Sequence, residues 1–513
     1  MIKKSLVPKK IDWPLYLAAL LFIATAVYFN LQFLHGSNVN YGFAAHDEYL
    51  TIREVYSILE PLSWKHFFMA IISGDILYYG RLMFYSDAAF AFLPYKIFGL
   101  SGLVFAVRMF HALLLLGGVI ILAKTFLREG VGQIMFIILV LFTYYSLYFM
   151  MVPKPEPHQL FILSLFFYFF KRDNFKPGKF FILLGMAYGV KFNAVLLIPV
   201  IVLWVVFNNK QKIKEWLWAF GYFGVGLIVA VPCLVLSAIK PVFLKSYLLA
   251  TVMNTTNVDD NPEYGPVNWI RYVWPTYYTG GWVLFLLVIV FTLFLLVKNN
   301  KWQFQNWLSD SAVLMILCGL ALNLPIVLTT KRLYPHYLWT GQIFIWLGIF
   351  ISLSKMSISK ATTRLLGILL VVSGLHYTTL MANNLLNREN EAKPLIEKTM
   401  ALQNEIFTSN PRAKIVEDIT VYFPFEWHVK AKPYHPFSGS NPAGIPKNNI
   451  LWTSIIDTAT LNTKKPDIIL LGNASINIFK QPKNTSDSVL LNYILKNFIK
   501  TYDSQELMLW ARR

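Results

Sequence analysis

Phe180–Phe207 reads FFILLGMAYGVKFNAVLLIPVIVLWVVF. Its roughly 28 residues carry one charge, at Lys191, and a run so long and apolar belongs in lipid rather than in the core of a soluble domain. It follows Lys171, Arg172, Lys176 and Lys179 and precedes Lys210, Lys212 and Lys214. Basic clusters between apolar runs mark cytoplasmic loops. A segment with both ends on that side must cross twice or not at all, yet two full crossings need ~20 residues each. Gly189, Lys191 and Asn193 interrupt its middle. The pattern predicts a hairpin of two short helices, 180–190 and 193–207. Lys191 then sits near the outer face or in a polar cavity, because non-helical backbone at that depth must be satisfied by protein or water.

The same reading extends along the chain. Leu15–Val27, Trp282–Val297 and Leu365–Val372 are further uncharged apolar runs. Of the 513 residues, 56% are hydrophobic and only 14% charged, against ~25% charged in soluble domains. Lys3, Lys4, Lys9 and Lys10 place the start of a retained first span in the cytoplasm. Lys124/Arg128, Lys298/Lys301 and Lys355/Lys360/Arg364 mark the other cytoplasmic turns. The predicted class is an α-helical polytopic membrane protein with about eleven crossings. They fall at 14–34, 101–123, 131–151, 157–170, 180–190, 193–207, 216–239, 277–297, 311–329, 337–354 and 363–382. The net charge of +19 sits in those short loops, which argues against nucleic-acid binding. Cys233 and Cys318 lie inside apolar segments and read as small buried hydrophobes, so no disulfide framework is expected.

Two parts follow: a membrane domain, 1–382, with an outer loop 35–100 that contains amphipathic helices, and an extracytoplasmic α/β domain, 383–513. In the second part Glu389–Met400 and Asp487–Lys500 read as helices. Ala413–Tyr422, Ile450–Ile456, Asp467–Leu471 and the closing run Glu506–Trp510 read as strands. The lysine-, asparagine- and phenylalanine-rich composition points to a bacterial inner membrane, with the N-terminus cytoplasmic and the C-terminal domain periplasmic.

Ionisable groups carry most meaning where a membrane makes them costly, and four constellations fall on the outer side. His46-Asp47-Glu48 opens an amphipathic helix after the first span. The acids suit a helix N-terminus as caps, or one serves as a general base at the membrane surface. Lys154-Pro155-Glu156-Pro157-His158 is a rigid, charged connection in which a snorkelling lysine could pair with the glutamate. Lys191 is the third constellation. Lys331-Arg332-Leu333-Tyr334-Pro335-His336-Tyr337 is the fourth, with two cations on a face that the positive-inside rule disfavours unless an anion meets them. Acids in the first two and cations in the last three suit transfer from a lipid-linked phosphate: a carboxylate takes the acceptor proton and the cations stabilise the departing phosphate. A divalent metal shared by Asp47, Glu156 and His158 is compatible with these residues, although no ligand spacing marks one.

In order, these are an acidic pair after span one, Phe98-Gly99-Leu100-Ser101 with Arg108 entering span two, Lys154-Pro155-Glu156, Gly185–Lys191, and Arg332 with His336-Tyr337. Residues 10–382 thereby resemble the polyprenyl-phosphate-sugar-dependent glycosyltransferases of the GT-C fold, in particular the protein O-mannosyltransferase and aminoarabinose (lipid A) transferase families. The resemblance implies inverting transfer on the extracytoplasmic face, from a sugar on undecaprenyl or dolichyl phosphate to a hydroxyl of a glycan, lipid or protein. It casts Asp47 as the base, Glu48 as its neighbour and Glu156 as the second acid. It sets Lys191, Arg332, His336 and Tyr337 around the donor phosphate, with Arg108, Lys154 and His158 in support. Leu338-Trp339-Thr340-Gly341 departs from the family's proline-rich continuation after His-Tyr. Two other readings share these residues. A flippase would place ionisable groups near the midplane and show inverted repeats. A polymerase or ligase would take a whole lipid-linked glycan.

Overall fold

The computed structural model describes residues 13–32, 45–61, 63–72, 80–208, 213–237, 310–329, 335–354, 378–383, 397–399, 401–410, 412–418, 450–453, 456–472, 485–504 and 507–513, with a few further positions among 241–245 and 372–394 and at 476. The bundle begins with α1 (Trp13–Gln32), α2 (Ala45–Leu59), α3 (Trp64–Ile72), α4 (Arg81–Phe126), α5 (Val131–Leu141), α6 (Tyr144–Phe149) and α7 (Pro155–Arg172). It continues with α8 (Phe181–Val190), α9 (Leu197–Asn208), α10 (Ile213–Ala230), α11 (Cys233–Ser237), α12 (Ser311–Thr329) and α13 (Trp339–Ser354). Three described stretches are long and apolar enough to cross a membrane: Trp13–Leu31, the apolar part of α4, and Ile213–Ala230. Leu17, Leu20 and Leu21 on α1, Leu203, Val206 and Phe207 on α9, and Leu217, Trp218 and Val225 on α10 are exposed. Apolar side chains turned outward over several helices, around buried Arg81, Asp87, Arg108 and Lys191, belong to an integral membrane protein, where lipid takes the place of water.

α4 is two arms. Gly99 adopts φ 63, ψ −144 inside it, a left-handed conformation open to glycine without penalty. The chain folds back there: Phe90 stacks on Phe110 with centroids 4.7 Å apart, and Asp87 reaches His111. The first arm, 81–98, thus belongs to the expected outer loop with α2 and α3, and the second, 100–126, is the expected second span.

The apolar run Phe180–Phe207 breaks at Lys191, whose backbone is extended (φ −150, ψ 121) between α8 and a 3-10 turn, Phe192–Leu196, that leads into α9. α8 approaches α10 through small residues. A Cβ on Gly185 would lie 2.0 Å from the Phe223 carbonyl oxygen, and one on Gly226 would lie 1.9 Å from that of Ile182. Small residues at such spacing let helix backbones touch where apolar burial cannot drive association. Gly226→Leu is therefore expected to part the two helices and lower the thermal midpoint of the detergent-purified chain by several degrees. Gly224→Leu, at a position with open space, should leave the midpoint in place, and equal midpoints for both variants would refute this close approach.

Other boundaries differ from expectation for local reasons. The predicted span 131–151 divides into α5 and α6, because Thr143 caps a new helix by accepting from the Ser146 amide. The predicted 216–239 ends at Ala230 before Pro232, which cannot continue a helical ladder, and only the short α11 follows. α12 matches 311–329, and α13 is preceded by a 3-10 turn, Pro335–Leu338. Crossing 277–297 lies outside the described residues, as does most of 363–382.

In the C-terminal part β1 (Ile415–Asp418), β2 (Ile450–Thr453), β3 (Ile468–Leu471), β4 (Phe498–Asp503) and β5 (Met508–Arg512) form one sheet in the order β2-β1-β3-β5-β4. β1 pairs in parallel with β2 and β3, and β5 runs antiparallel to β3 and β4. α14 (Thr458–Lys464) joins β2 to β3, and α15 (Thr485–Asn497) precedes β4. Val416, Leu461, Ile469, Leu471, Ile494 and Trp510 form a core between sheet and helices. The strands fall where expected, with two corrections. The expected helix Asp487–Lys500 yields to β4 at Phe498, because Phe498 and Ile499 pair with Arg512 and Ala511. Of the expected helix Glu389–Met400, positions 394 and 397–399 are described and helical, and 401–409, beyond its expected end, are helical as well.

Candidate active site at one end of the helical bundle

The site is built where α7 begins. Lys154 is the residue before α7, and Pro155 occupies its first turn, a position where the missing N–H costs nothing. This fixes Glu156 in the first turn, where the positive end of the helix dipole favours an acid. Glu156 Oε1 lies 2.7 Å from Lys191 Nζ, and both groups are buried. The glutamate's partner is thus the lysine of the broken segment, and Lys191 stays in place because the extended backbone at that point turns its side chain toward α7. Gln159, one turn along α7, donates to the Lys191 carbonyl oxygen (2.9 Å) and to Asn193 Oδ1 (2.7 Å), which satisfies the interrupted backbone as buried polar groups require. The ring of Tyr337 sits 4.9 Å from Lys191 Nζ. Lys154 Nζ lies 5.9 Å from the centre of the Tyr148 ring. Glu156 Oε2 is buried and accepts no hydrogen bond among the described residues.

α2 is fastened beside this loop. Thr51 donates to the Pro153 carbonyl oxygen (3.2 Å). Glu54 pairs with Arg81 at 2.5 Å, both buried, and Arg81 also donates to the Ala70 carbonyl oxygen of α3. Asp47 and Glu48 lie in α2. Asp47 is four positions, about one turn, before Thr51, so its backbone stands near the Pro153–Glu156 connection. The side chains of Asp47, Glu48 and His336 lie outside the described residues, although His336 belongs to the 3-10 turn Pro335–Leu338. Arg332 lies outside them altogether. Lys191 thus meets two other predicted site residues, Glu156 and Tyr337.

The other supporting residues fall elsewhere. Arg108 is fully buried in the second arm of α4, one turn before His111. His158 faces Asp87 and His111 instead of Glu156: its Nε2 lies 3.2 Å from Asp87 Oδ1, and His111 Nε2 lies 3.1 Å from Asp87 Oδ2. His158 thus turns away from Glu156, with which it could have shared a metal, because α7 turns by about 100° per residue and positions 156 and 158 point to different neighbours. Sequence reasoning passed over Glu54, Arg81, Asp87 and His111. The signal was there in His111, an ionisable group inside an apolar run.

The basic end is opposite. Lys171 Nζ donates to the Thr125 carbonyl oxygen, which joins the far ends of α7 and α4. Glu156 and Arg172 are 16 positions apart on α7, about 24 Å along its axis, so the acid–cation site and the lysine-rich face are separated by most of the ~30 Å of a bilayer core.

No protein-family model and no curated protein matches the chain. Among solved structures, it aligns with ArnT from Cupriavidus metallidurans bound to undecaprenyl phosphate, over 96% of this chain and 97% of that one, at 11% identity and a TM-score of 0.56. The apo state of the same ArnT aligns over the same shares at 12% identity and a TM-score of 0.51. ArnT is an aminoarabinose transferase of the GT-C type. The end-to-end correspondence of helices, spanning nearly all of both chains, shows that the protein has the GT-C fold.

Proposed function

We propose that this protein is a membrane glycosyltransferase that moves a sugar from a polyprenyl-phosphate donor to a hydroxyl acceptor at the extracytoplasmic face. The observation that carries the reading is the convergence of Glu156, Lys191 and Tyr337 at the bundle end opposite the Lys124–Lys171 face, in a fold shared with a protein that binds undecaprenyl phosphate. In this reading Asp47 removes the acceptor proton as the acceptor oxygen attacks the anomeric carbon. The bond from that carbon to the phosphate oxygen breaks, the electron pair leaves with polyprenyl phosphate, and attack from the opposite side inverts the centre. Lys191 has three N–H donors. One reaches Glu156, and the others remain for the phosphate, with Arg332 and His336 completing the cradle. Glu156 Oε2 accepts from the incoming hydroxyl.

A neutral lipid of the same length separates phosphate recognition from simple greasiness. The detergent-purified chain should be stabilised against heat by undecaprenyl phosphate and much less by undecaprenol. Replacing Lys191 with Arg should keep most of that difference. Equal stabilisation by the two lipids would remove the phosphate site.

A further inference from the structure

Apart from the Glu156–Lys191 site, three buried ionisable groups meet between the α4 hairpin and α7. We infer that Asp87, His111 and His158 bind one divalent transition-metal ion of the zinc type, which clamps the two arms of α4 to the first turn of α7.

One ligand atom from each of Asp87, His111 and His158 lies within 4.8 Å of the other two, and all three residues are buried. The two nitrogen–oxygen separations are 3.1 and 3.2 Å. Ligand distances of about 2.0–2.2 Å in a tetrahedron put neighbouring donor atoms about 3.3 Å apart, close to these two separations, and an ion would draw the two imidazoles in from opposite oxygens of the carboxylate. The two imidazole rings stand nearly perpendicular, at 72°, with centroids 4.6 Å apart, so they approach a common point from different directions.

Charge and hydrogen bonding favour a cation. The carboxylate brings a full negative charge into the bundle, and the ionisable groups that face it are the two imidazoles. A carboxylate buried this deeply is costly unless a positive charge matches it, and a bound cation would supply that charge. Asp87 Oδ1 accepts no hydrogen bond among the described residues although His158 Nε2 is 3.2 Å away, so the ring N–H direction does not aim at it. Ser86 Oγ lies 3.0 Å from the same nitrogen, while its own proton is directed to the Leu82 or Met83 carbonyl oxygen at 2.9 or 2.8 Å. Two nitrogen donors and one carboxylate suit zinc or a neighbouring first-row ion, and not calcium or magnesium, which take oxygen ligands.

The location gives the ion a use. Asp87 precedes the Gly99 turn, His111 follows it, and His158 stands two residues after Glu156. One ion would close the hairpin and hold the N-terminus of α7, and so the position of Glu156. The metal site does not depend on the sugar-transfer reading, and its test needs no activity.

The full chain, produced with a tag free of histidine and purified in detergent, is analysed for metals by mass spectrometry. About one zinc per chain is expected. Removal with a chelator and loading with cobalt(II) alone should produce visible d–d absorption of a low-coordinate nitrogen–oxygen site. Asp87→Asn, His111→Gln and His158→Gln should each abolish it, and His66→Gln, an exposed histidine beside Ser63, should retain it. Substoichiometric metal with no cobalt spectrum in the wild-type chain would overturn the proposal in favour of a metal-free hydrogen-bonded triad, whatever the variants do. A cobalt spectrum that survives all three substitutions would overturn it as well.

Discussion

Asp47→Asn should lower sugar transfer by about 10²- to 10⁴-fold, the range for loss of a general acid–base group, with the chain still inserted and folded. The substitution is nearly isosteric, and α2 is fastened by other residues. Thr51 holds the helix to Pro153, and the Glu54–Arg81 pair holds it to the first arm of α4. The fall should appear in kcat, with KM for the lipid donor little changed, because a base acts in the transition state more than in binding. The measurement is release of undecaprenyl phosphate from a labelled undecaprenyl-phosphate sugar in membranes that contain the natural acceptor. Full activity in Asp47→Asn would refute the assigned base. A normal rate there combined with a lost rate in Glu48→Gln would pass the role to its neighbour on the same helix.

The second large effect concerns stability. Lys191→Met should cost about 3–5 kcal/mol, because it leaves the Glu156 carboxylate buried without its partner. Both side chains are almost wholly enclosed, at 7% and 1% exposure, so water cannot take over the lost interaction. Far less folded, monodisperse protein should be recovered from the membrane fraction. Pairing the change with Glu156→Gln removes the stranded charge and should restore most of the yield without restoring transfer. This double variant separates folding from chemistry: its recovery with full activity would remove Glu156 and Lys191 from the reaction. Unchanged yield in Lys191→Met alone would show that the pair is not sealed from water.

Much of the architecture was legible before any coordinates. The break at Lys191 followed from one charge in a run too short for two crossings, and it appears as an extended residue between α8 and a 3-10 turn. The outer-loop helices and β1, β2, β3 and β5 also fell near their expected places. Errors gathered where a neighbour overrides local preference. Phe498 and Ile499 continue a helical pattern but are drawn into the sheet by β5. Thr143 ends one helix and begins another within a uniformly apolar run. The candidate site was half legible. Glu156 and Lys191 were singled out separately as charges at a membrane boundary, but Asp87 and His111 were passed over, since they stand 24 positions apart on what reads as a loop and a span.

The sequence by itself determined that the chain belongs in a membrane and where its longest apolar run must be interrupted. Those properties are sums over neighbouring residues, and hydropathy, loop charge and a lone ionisable group can be read one segment at a time. Only the tertiary structure decided which charges meet: Lys191 with Glu156, Arg81 with Glu54, and Asp87 with two histidines. A buried charge must find its partner on another helix, and that choice depends on how glycine contacts such as Gly185–Phe223 and the Gly99 turn bring helices together in space.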